Sequence, residues 1–378
     1  MKKRDEKTAY RDRKPGAGTG YCDGFEPLKS LDLSKVNDFD DLARSMSHTA
    51  FGGRRLGEAV DVLYNMVTDP NCFVVGTFSG AMTPAKMGLL ICDMIDMGML
   101  NAVVSTGALM THGLVEGYGM THFKYKPGMD DKTLYQKNYN RIYDILELEK
   151  NLDDLEEILE EVFIKMNPKE IFSSYRVTEL IGKHLDENMK GRSILKSAYR
   201  KKIPVYIPAF TDSELGLDFG LYNRGRIEKG KKPLAFNPFN DLEHFTEIIQ
   251  KQKTMGIFTI GGGVPRNWAQ QVGPYVDLIH WRLKLNSDPD KYFELYNSDG
   301  KKSYKYALRI CPEPVEIGGL SGCTYSEGVS WGKFIPPEEG GMTAEVLTDA
   351  TIAWPIVLKA VMERLKKNKV KIKKKFKA

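Results

Sequence analysis

The chain has 378 residues, of which 42% are hydrophobic and 28% are charged, and its formal net charge is +5. This composition excludes a disordered or fibrous protein and indicates a globular one with a large core. The most apolar stretch, residues 87–110, contains Asp93 and Asp96, so we predict no membrane-spanning segment. The five cysteines form no C-x-x-C pair and are odd in number, so we predict neither a metal site nor disulfides, and a cytoplasmic location.

The positive charge is concentrated at the C-terminus. Residues 366–378 contain eight lysines and no acidic residue, so residues 1–365 taken alone carry a net charge of −3. We interpret residues 366–378 as a solvated lysine-rich tail, and binding of nucleic acid or anionic lipid by this run is the less favoured alternative. Residues 1–40 are polar and contain glycine and proline, which indicates an N-terminal arm, and residues 41–365 are predicted to form one large domain.

Short β-rich runs alternate with helical patterns from residue 72 onward. Helical spacing of apolar residues extends from Pro84 to Met99 and, after the next strand, through Leu114, whereas residues 132–201 are mostly helical and highly charged. Strands are predicted at six positions, namely Cys72–Gly76, Asn101–Thr106, Lys202–Pro208, Gly256–Ile260, Tyr275–His280 and Tyr304–Ile310. This alternation predicts a Rossmann-like α/β fold, with a mostly parallel sheet covered by helices on both faces.

Small residues follow three of the predicted strands, at positions 76–81, 105–108 and 261–263. In an open parallel sheet, ligands bind outside the carboxyl ends of the strands. Glycine at these positions allows backbone N–H groups to approach a pyrophosphate, and the N-terminus of the following helix stabilises its negative charge. Each of these small-residue segments alone is more typical of a turn, but the three together favour a dinucleotide-binding site.

Lys333 ends the segment SGCTYSEGVSWGK and lies two residues after Trp331. Apolar and aromatic surroundings disfavour an ammonium ion, so they would lower the pKa of this lysine and make its amine a nucleophile that forms imines. In isolation, Lys333 is more typical of the protein surface. The acids Asp212 and Glu214 follow the third predicted strand, where they could bind a ribose hydroxyl or a cationic amine, or cap the next helix.

The segment VSWGK at 329–333 resembles the active-site lysine motif of deoxyhypusine synthases. Other segments match that family in the same order and at similar spacing: FGGRRLGEAV (51–60), NAVVSTGA (101–108), NRI (140–142), IPVYIPAFTDSELG (203–216), IGGGVP (260–265) and TDATIAWP (348–355). Together these segments place the resemblance over roughly residues 45–365. By this resemblance the chain is identified as a member of the deoxyhypusine synthase family.

The resemblance implies an enzyme, an NAD-dependent aminobutyl transferase that recycles its NAD. In the implied reaction, spermidine is oxidised and cleaved with loss of diaminopropane, and its butylimine passes to Lys333 before transfer to a lysine of a translation factor. The alternative acceptor is a free amine such as putrescine, as in homospermidine synthesis. The resemblance also implies a homotetramer whose active sites are shared between paired subunits.

Site residues are carried over from the family by matching position. NAD contacts are implied for Ser79, Thr83, Thr106, Gly107, Ala108, Asp212, Gly262, Gly263, Ser321, Asp349 and Ala350. Polyamine contacts are implied for Glu327 and Trp331, and Trp331 could hold a cationic amine against its ring face.

The chain departs from the eukaryotic pattern in the half of the site that binds the amine. Thr111 and His112 replace adjacent glutamates, and Asn267 replaces a histidine. Leu217 and Leu320 replace two aspartates, although Asp218 lies next to the first of them. We therefore predict Asn267 and Asp218 as further substrate contacts. His112 is predicted to act as the general base, because the ordinary pKa of histidine, near 6.5, suits proton transfer at neutral pH.

Overall fold

The computed structural model describes residues 20–21, 23–283, 302–319 and 321–373. Parts of the predicted arm (1–19 and 22), the end of the lysine-rich tail (374–378) and Leu320 lie outside the described residues. Within the described residues, no helix combines the length and the apolar character that a membrane crossing requires.

The strands and helices alternate along the chain as the sequence predicts. The strands are β1 (Cys72–Phe78), β2 (Ala102–Ser105), β3 (Phe123–Lys124), β4 (Tyr139–Ile142), β5 (Ile145–Leu148), β6 (Ile171–Phe172), β7 (Val205–Tyr206), β8 (Ala235–Phe236), β9 (Thr254–Ile260), β10 (Tyr306–Ile310) and β11 (Met342–Val346). The α-helices are α1 (Phe39–Ser47), α2 (Phe51–Thr68), α3 (Gly88–Asp96), α4 (Gly107–Gly117), α5 (Asp131–Gln136), α6 (Glu149–Ile164), α7 (Ser174–Asn188), α8 (Ile194–Lys201), α9 (Glu214–Glu228), α10 (Phe239–Gln250), α11 (Gly263–Leu283), α12 (Tyr325–Ser330) and α13 (Ala350–Lys367). Short 3-10 helices lie at Leu33–Lys35, Val315–Ile317 and Pro337–Glu339.

Six strands form one parallel sheet in the order β11-β10-β9-β1-β2-β7. Every residue of β1 is buried, and its side chains alternate between two apolar cores. Val74 and Phe78 belong to one core, whereas Phe73 and Val75 belong to the other. A strand buried on both faces requires helices on both sides of the sheet, so the predicted α/β fold is confirmed.

The prediction of a strand at Tyr275–His280 is wrong, because these residues lie inside α11. Buried apolar residues in this helix recur at Ala269, Val272 and Val276, which is helical spacing. A short apolar run does not distinguish a strand from a buried helix. The prediction at Lys202–Pro208 is too long, since only Val205–Tyr206 pairs with β2.

Two further boundaries differ from the sequence prediction. The helix predicted from Pro84 begins at Gly88, because Lys86 adopts a left-handed backbone conformation with φ +64°. The charged segment 132–201 contains four helices, α5 to α8, but also the hairpin β4–β5, which joins β3 in a separate antiparallel sheet. This hairpin and the edge strand β11 were not predicted.

Helix α7 is capped by a side chain from another helix. Its own N-cap residue, Ser173, makes no side-chain capping bond. The buried carboxylate of Asp241 on α10 instead accepts hydrogen bonds from the backbone amides of Ser174 and Tyr175, at 3.1 and 3.0 Å, and from the Ser174 hydroxyl at 2.7 Å. The cap therefore joins α7 to α10 beside the short edge strand β7.

Replacing Asp241 with alanine is expected to lower the free energy of unfolding by about 2–3 kcal/mol, because three buried donors lose their acceptor. Urea denaturation measures this change. The control is Glu247→Ala, an exposed carboxylate on the same helix, which should change the free energy by less than about 0.5 kcal/mol. Equal effects of the two substitutions would contradict the capping role.

Helices α1 and α13 are joined by charged side chains. The buried guanidinium of Arg364 contacts Asp40 at 2.6 Å and Asp61 at 2.5 Å, and Lys367 contacts Asp38 and Asp41 at 2.8 and 2.7 Å. The first two lysines of the predicted tail, residues 366 and 367, thus belong to α13. Beyond the helix, Val370 and Ile372 pack against the larger core.

Candidate active site

The predicted cofactor contacts all lie at the carboxyl edge of the parallel sheet or in the loops and helices that follow it. Ser79 follows β1, Thr106 follows β2, and Gly261 follows β9. Asp349 lies beyond β11, at the start of α13. Because the strands are parallel, their carboxyl ends meet at one edge, where doubly wound sheets bind their ligands.

Three predicted contacts come together at the centre of this edge. The hydroxyl of Ser79 accepts a hydrogen bond from the amide of Gly262 at 2.9 Å. A Cβ atom placed on Gly262 would lie 2.5 Å from Cα of Ser321, so glycine is needed for the close approach of these two loops. Gly263 has φ +60° and open space around it. The structure thus assigns Gly262 a role in loop packing and leaves Gly263 facing free space.

A second group of predicted contacts surrounds the start of α4. Thr106 occupies the N-cap position but makes no capping bond, so the first-turn amides of α4 are available to an anion. Gly107 lies against α9, since a Cβ there would lie 2.2 Å from Oγ of Ser213, the neighbour of Asp212. Ala108 is partly buried in the first turn of α4.

Two predicted cofactor contacts have structural tasks. The hydroxyl of Thr83 is buried and donates to the backbone carbonyl of Leu109 at 2.7 Å. The carboxylate of Asp349 caps α13 by accepting from the amide and hydroxyl of Thr351, at 2.6 and 2.7 Å. Ala350, the first residue of that helix, is buried.

The segment before Lys333 is shaped by helix capping. Thr324 caps the short helix α12 by accepting from the amide of Glu327. At the other end of α12, Gly332 has φ +68°, and the amides of Gly332 and Lys333 donate to the carbonyls of Val329 and Gly328. This pair of bonds is a Schellman motif, whose left-handed residue is usually glycine. The motif explains why glycine precedes the lysine.

The next residue anchors the end of this segment. Phe334 is buried against Tyr325, with ring centroids 4.7 Å apart. The amide of Tyr304 donates to the carbonyl of Lys333 at 2.9 Å, which ties the lysine backbone to the chain entering β10. The position of Lys333 is therefore set by backbone bonds and a buried aromatic ring.

Lys333 lines a cavity of about 300 Å³ together with three other residues predicted for the site, Asn267, Glu327 and Trp331. Its Nζ atom lies 5.8 Å from the centre of the Trp331 ring. The remaining lining residues are Arg266, Gln270, Gln271, Cys323, Thr324 and Gly328. Helix α11 begins at Gly263 and carries Asn267 one turn later, so the cavity is close to the glycine segment 261–263 that follows β9.

The pKa of Lys333 is lowered from the ordinary lysine value, first by burial and then by the positive charge of Arg266. Arg266 is itself buried, and its guanidinium donates to the carbonyl of Cys323 at 2.7 Å. Arg309 donates to the same carbonyl at 2.9 Å. The two arginines thus hold the turn before α12, and the positive charge of Arg266 favours the neutral amine of Lys333.

Among the predicted substrate and catalytic residues, Asp218 and His112 do not line the Lys333 cavity. Asp218 lies on α9, where burial, with smaller contributions from Glu156 and Glu214, raises the pKa of its carboxyl to about 7. His112 lies on α4 and contacts Glu147 of β5, with 2.5 Å between Nδ1 and Oε2. In a single chain, the predicted substrate and catalytic residues therefore form two groups. Asn267, Glu327, Trp331 and Lys333 line the cavity, whereas His112 and Asp218 lie outside it.

Sequence reasoning missed four residues that shape these groups: Arg266, Arg309, His122 and Glu147. Arg266 lies three residues after the triple glycine, and that proximity was the available signal. Glu147 belongs to the unpredicted hairpin, and no local pattern places it beside His112.

Together, these observations describe an α/β fold with a parallel sheet covered by helices on both faces, and a cavity lined by a lysine whose pKa is lowered. The family model for deoxyhypusine synthase matches residues 41–361. The protein named probable deoxyhypusine synthase 1 of Methanosarcina acetivorans is 35% identical over 90% of this chain and 96% of its own length. The deoxyhypusine synthase-like protein of Chlorobaculum parvum is 30% identical over 88% of each chain.

A crystal structure of a candidate deoxyhypusine synthase from Entamoeba histolytica shares the fold, with a TM-score of 0.56 and 14% identity over 89% of this chain and 97% of that one. The chain belongs to the deoxyhypusine synthase family. Membership identifies it as a transferase-type enzyme and supports aminobutyl transfer in deoxyhypusine synthesis.

Proposed function

We propose that this protein transfers the aminobutyl group of spermidine to a lysine side chain of a protein, a translation factor, through an imine on Lys333. The observation that carries the proposal is the partly buried amine of Lys333 in its cavity, with its pKa lowered by burial and by Arg266. A neutral amine at this position can attack the carbon of an oxidised polyamine.

NAD is the proposed cofactor, and it would supply the oxidation of the donor amine and the final reduction. The free amides at the start of α4 and the open, left-handed Gly263 fit a pyrophosphate at the carboxyl edge. Ser79 bonds to Gly262, and the carbonyl of Ser321 accepts from Arg266, which lines the Lys333 cavity, and both contacts support the predicted roles of the two serines. Thr83 and Asp349 would act by holding the loops that frame the cofactor.

The polyamine would be held by carboxylates and by an aromatic ring. Among the described residues that line the Lys333 cavity, Glu327 is the only carboxylate, and Trp331 offers its ring face to a cationic amine. Asp218, Glu214 and Glu156 form a second acidic group, whose mutual repulsion would be relieved by a bound ammonium group.

We propose that a homotetramer with shared sites joins the two groups of residues. Trp331 is 68% exposed in the single chain, although the proposal gives it a role in enclosing the substrate. A neighbouring subunit that covers Trp331 could bring its own His112 and Asp218 towards the Lys333 cavity. A cytoplasmic location remains a prediction from cysteine content.

Borohydride trapping tests the reaction. The protein is incubated with NAD and spermidine labelled in its aminobutyl part, reduced, digested and analysed by mass spectrometry. We expect a labelled aminobutyl adduct on Lys333, with release of diaminopropane. Oxidation of spermidine without any labelled lysine would contradict the proposed mechanism.

The same assay identifies the acceptor. Among the described residues, Glu327 is the single carboxylate that lines the Lys333 cavity, so we expect fewer charge-assisted hydrogen bonds to a polyamine, and a free amine such as putrescine stays the alternative acceptor. Label found in a translation factor supports deoxyhypusine synthesis, whereas label found only in homospermidine supports the alternative.

A further inference from the structure

Two histidines and a glutamate form a buried cluster away from the Lys333 cavity. His112 lies on α4, His122 lies in the loop before β3, and Glu147 lies on β5. Glu147 is completely buried, and its two carboxylate oxygens face the two rings. Oε2 lies 2.5 Å from Nδ1 of His112, and Oε1 lies 3.4 Å from Nε2 of His122. Among the described residues, no other group donates to this carboxylate.

The proton positions in this cluster follow from a neighbouring lysine. Nζ of Lys86 lies 3.2 Å from Nδ1 of His122 and also contacts Glu116. An ammonium group can only donate, so Nδ1 of a neutral His122 accepts, and the proton is carried by its Nε2, 3.4 Å from Oε1 of Glu147. An ionised carboxylate can only accept, so Nδ1 of His112 also carries a proton. The lone pair of a neutral His112 is then left on Nε2.

These three side chains could also hold a metal ion, because their ligand atoms all lie within 4.8 Å of one another. The separation of 2.5 Å between Nδ1 of His112 and Oε2 of Glu147 argues against this role. Two ligands of a tetrahedral zinc ion, each bound at 2.0–2.1 Å, stand about 3.3 Å apart. The ammonium group of Lys86 beside His122 adds unfavourable charge for a cation. The geometry therefore favours hydrogen-bond donors facing a carboxylate.

We propose that Glu147 is a positioning residue, which fixes the ring of His112 with its Nε2 atom free to accept a proton from the reacting amine. His122, which Lys86 contacts on its other ring nitrogen, in turn contacts Glu147. The catalytic consequence rests on the proposed function, in which a neighbouring subunit brings His112 towards the Lys333 cavity, and on the predicted role of His112 as the general base. A buried carboxylate behind an imidazole selects one tautomer and stabilises the imidazolium that forms.

The charges around His112 agree with this arrangement. Burial lowers the pKa of His112, but contact with Glu147, and then the charge of Glu214 on α9, outweigh burial and raise it above the ordinary value. Burial raises the pKa of Glu147, but the two histidines outweigh it and hold the value at about 2. Glu116 of α4 lies 4.0 Å from His122 and pairs with Lys86, so it faces the cluster from outside.

Imidazole NMR of the full-length protein, labelled with ¹⁵N at its six histidines, tests the positioning directly. We expect His112 to carry its proton on Nδ1 when neutral, and to titrate above the ordinary histidine pKa. In Glu147→Gln the pKa of His112 should fall by about one unit or more, because the carboxylate is lost. Glu160→Gln, an exposed site on α6, is the matched control and should leave His112 unchanged.

Kinetics of the same variants test the catalytic consequence. Glu147→Gln should reduce kcat by roughly 10²-fold, with a smaller change in KM for spermidine, because the base loses its orientation. The acid limb of the pH–rate profile of this variant should move to lower pH, because a His112 with a lower pKa loses its proton at a lower pH. Wild-type enzyme without any transfer activity would refute the proposed function, while the NMR result would still decide the positioning.

Three results would overturn the proposal. The first is wild-type His112 protonated on Nε2 when neutral, a result that needs no variant and so does not depend on whether Glu147→Gln folds. The second is an unchanged pKa of His112 in a folded Glu147→Gln protein. The third is one equivalent of bound transition metal in the purified wild type, by mass spectrometry, that is lost in Glu147→Gln.

Discussion

Replacing Lys333 with arginine is expected to reduce aminobutyl transfer by about 10³-fold or more, because a covalent nucleophile is removed. Arginine keeps the positive charge but cannot lose its proton to attack an imine carbon. Lys333→Ala should be equally inactive. Both variants should still bind NAD, because the proposed cofactor contacts lie on other segments, and fluorescence titration with NADH measures this.

The pH dependence of the wild type provides a further check on Lys333. Only the neutral amine attacks, so transfer should rise with pH until Lys333 has lost its proton. Because burial and Arg266 lower the pKa of Lys333, this rise in rate should occur at a lower pH than the ordinary pKa of lysine predicts. Lys229→Arg, at an exposed position of the chain, is the control and should leave the rate unchanged. A Lys333→Arg enzyme with substantial transfer activity would contradict the mechanism.

Replacing Arg364 with alanine is expected to lower the free energy of unfolding by about 3 kcal/mol, because a buried ion pair loses one partner. Among the described residues, Asp40, which is also buried, would keep the partly exposed cations Arg44, at 3.1 Å, and Lys367, at 3.5 Å. Asp61 would lose a contact of 2.5 Å. Chemical denaturation measures the change.

The control for Arg364 is Lys366→Ala, which removes one positive charge from the exposed side of the same helix. Surface substitutions of this kind usually change the free energy by less than about 0.5 kcal/mol. If both variants lost the same stability, net charge rather than the buried contact between α1 and α13 would be responsible.

The sequence was sufficient for the centre of the sheet because each central strand is a continuous buried run. β1 and β9 pair over seven residues, from Cys72 with Thr254 to Phe78 with Ile260, and both were predicted. Edge elements were harder to predict. β7 was predicted as Lys202–Pro208, but only two of its residues pair with β2, and β11 was missed because it mixes polar with apolar side chains.

The residues of the candidate site also differ in how far they could be predicted from the sequence. Lys333 was predicted because the motif lies in its own local segment, and the Schellman turn that positions it lies in the same segment. Contacts between distant segments were not predictable: Glu147 lies 35 residues after His112 and reaches it only through the unpredicted hairpin. Asp349 and Thr83 were assigned to the cofactor, but their side-chain partners belong to the fold, and pattern matching cannot separate these roles.

The packing of α1 and α13 has a practical consequence for how the protein can be attached to a surface. Helix α13 starts at the carboxyl edge of the sheet and runs away from it, and Ile372 beyond it lies near Gly98, after α3, at the opposite edge. At the other terminus, the amide of Lys29 bonds to the carbonyl of His48, just before the start of α2 on the ligand side. An affinity tag attached after Lys373 would therefore begin at the edge of the sheet opposite the proposed cofactor site, and we expect it to leave that site accessible.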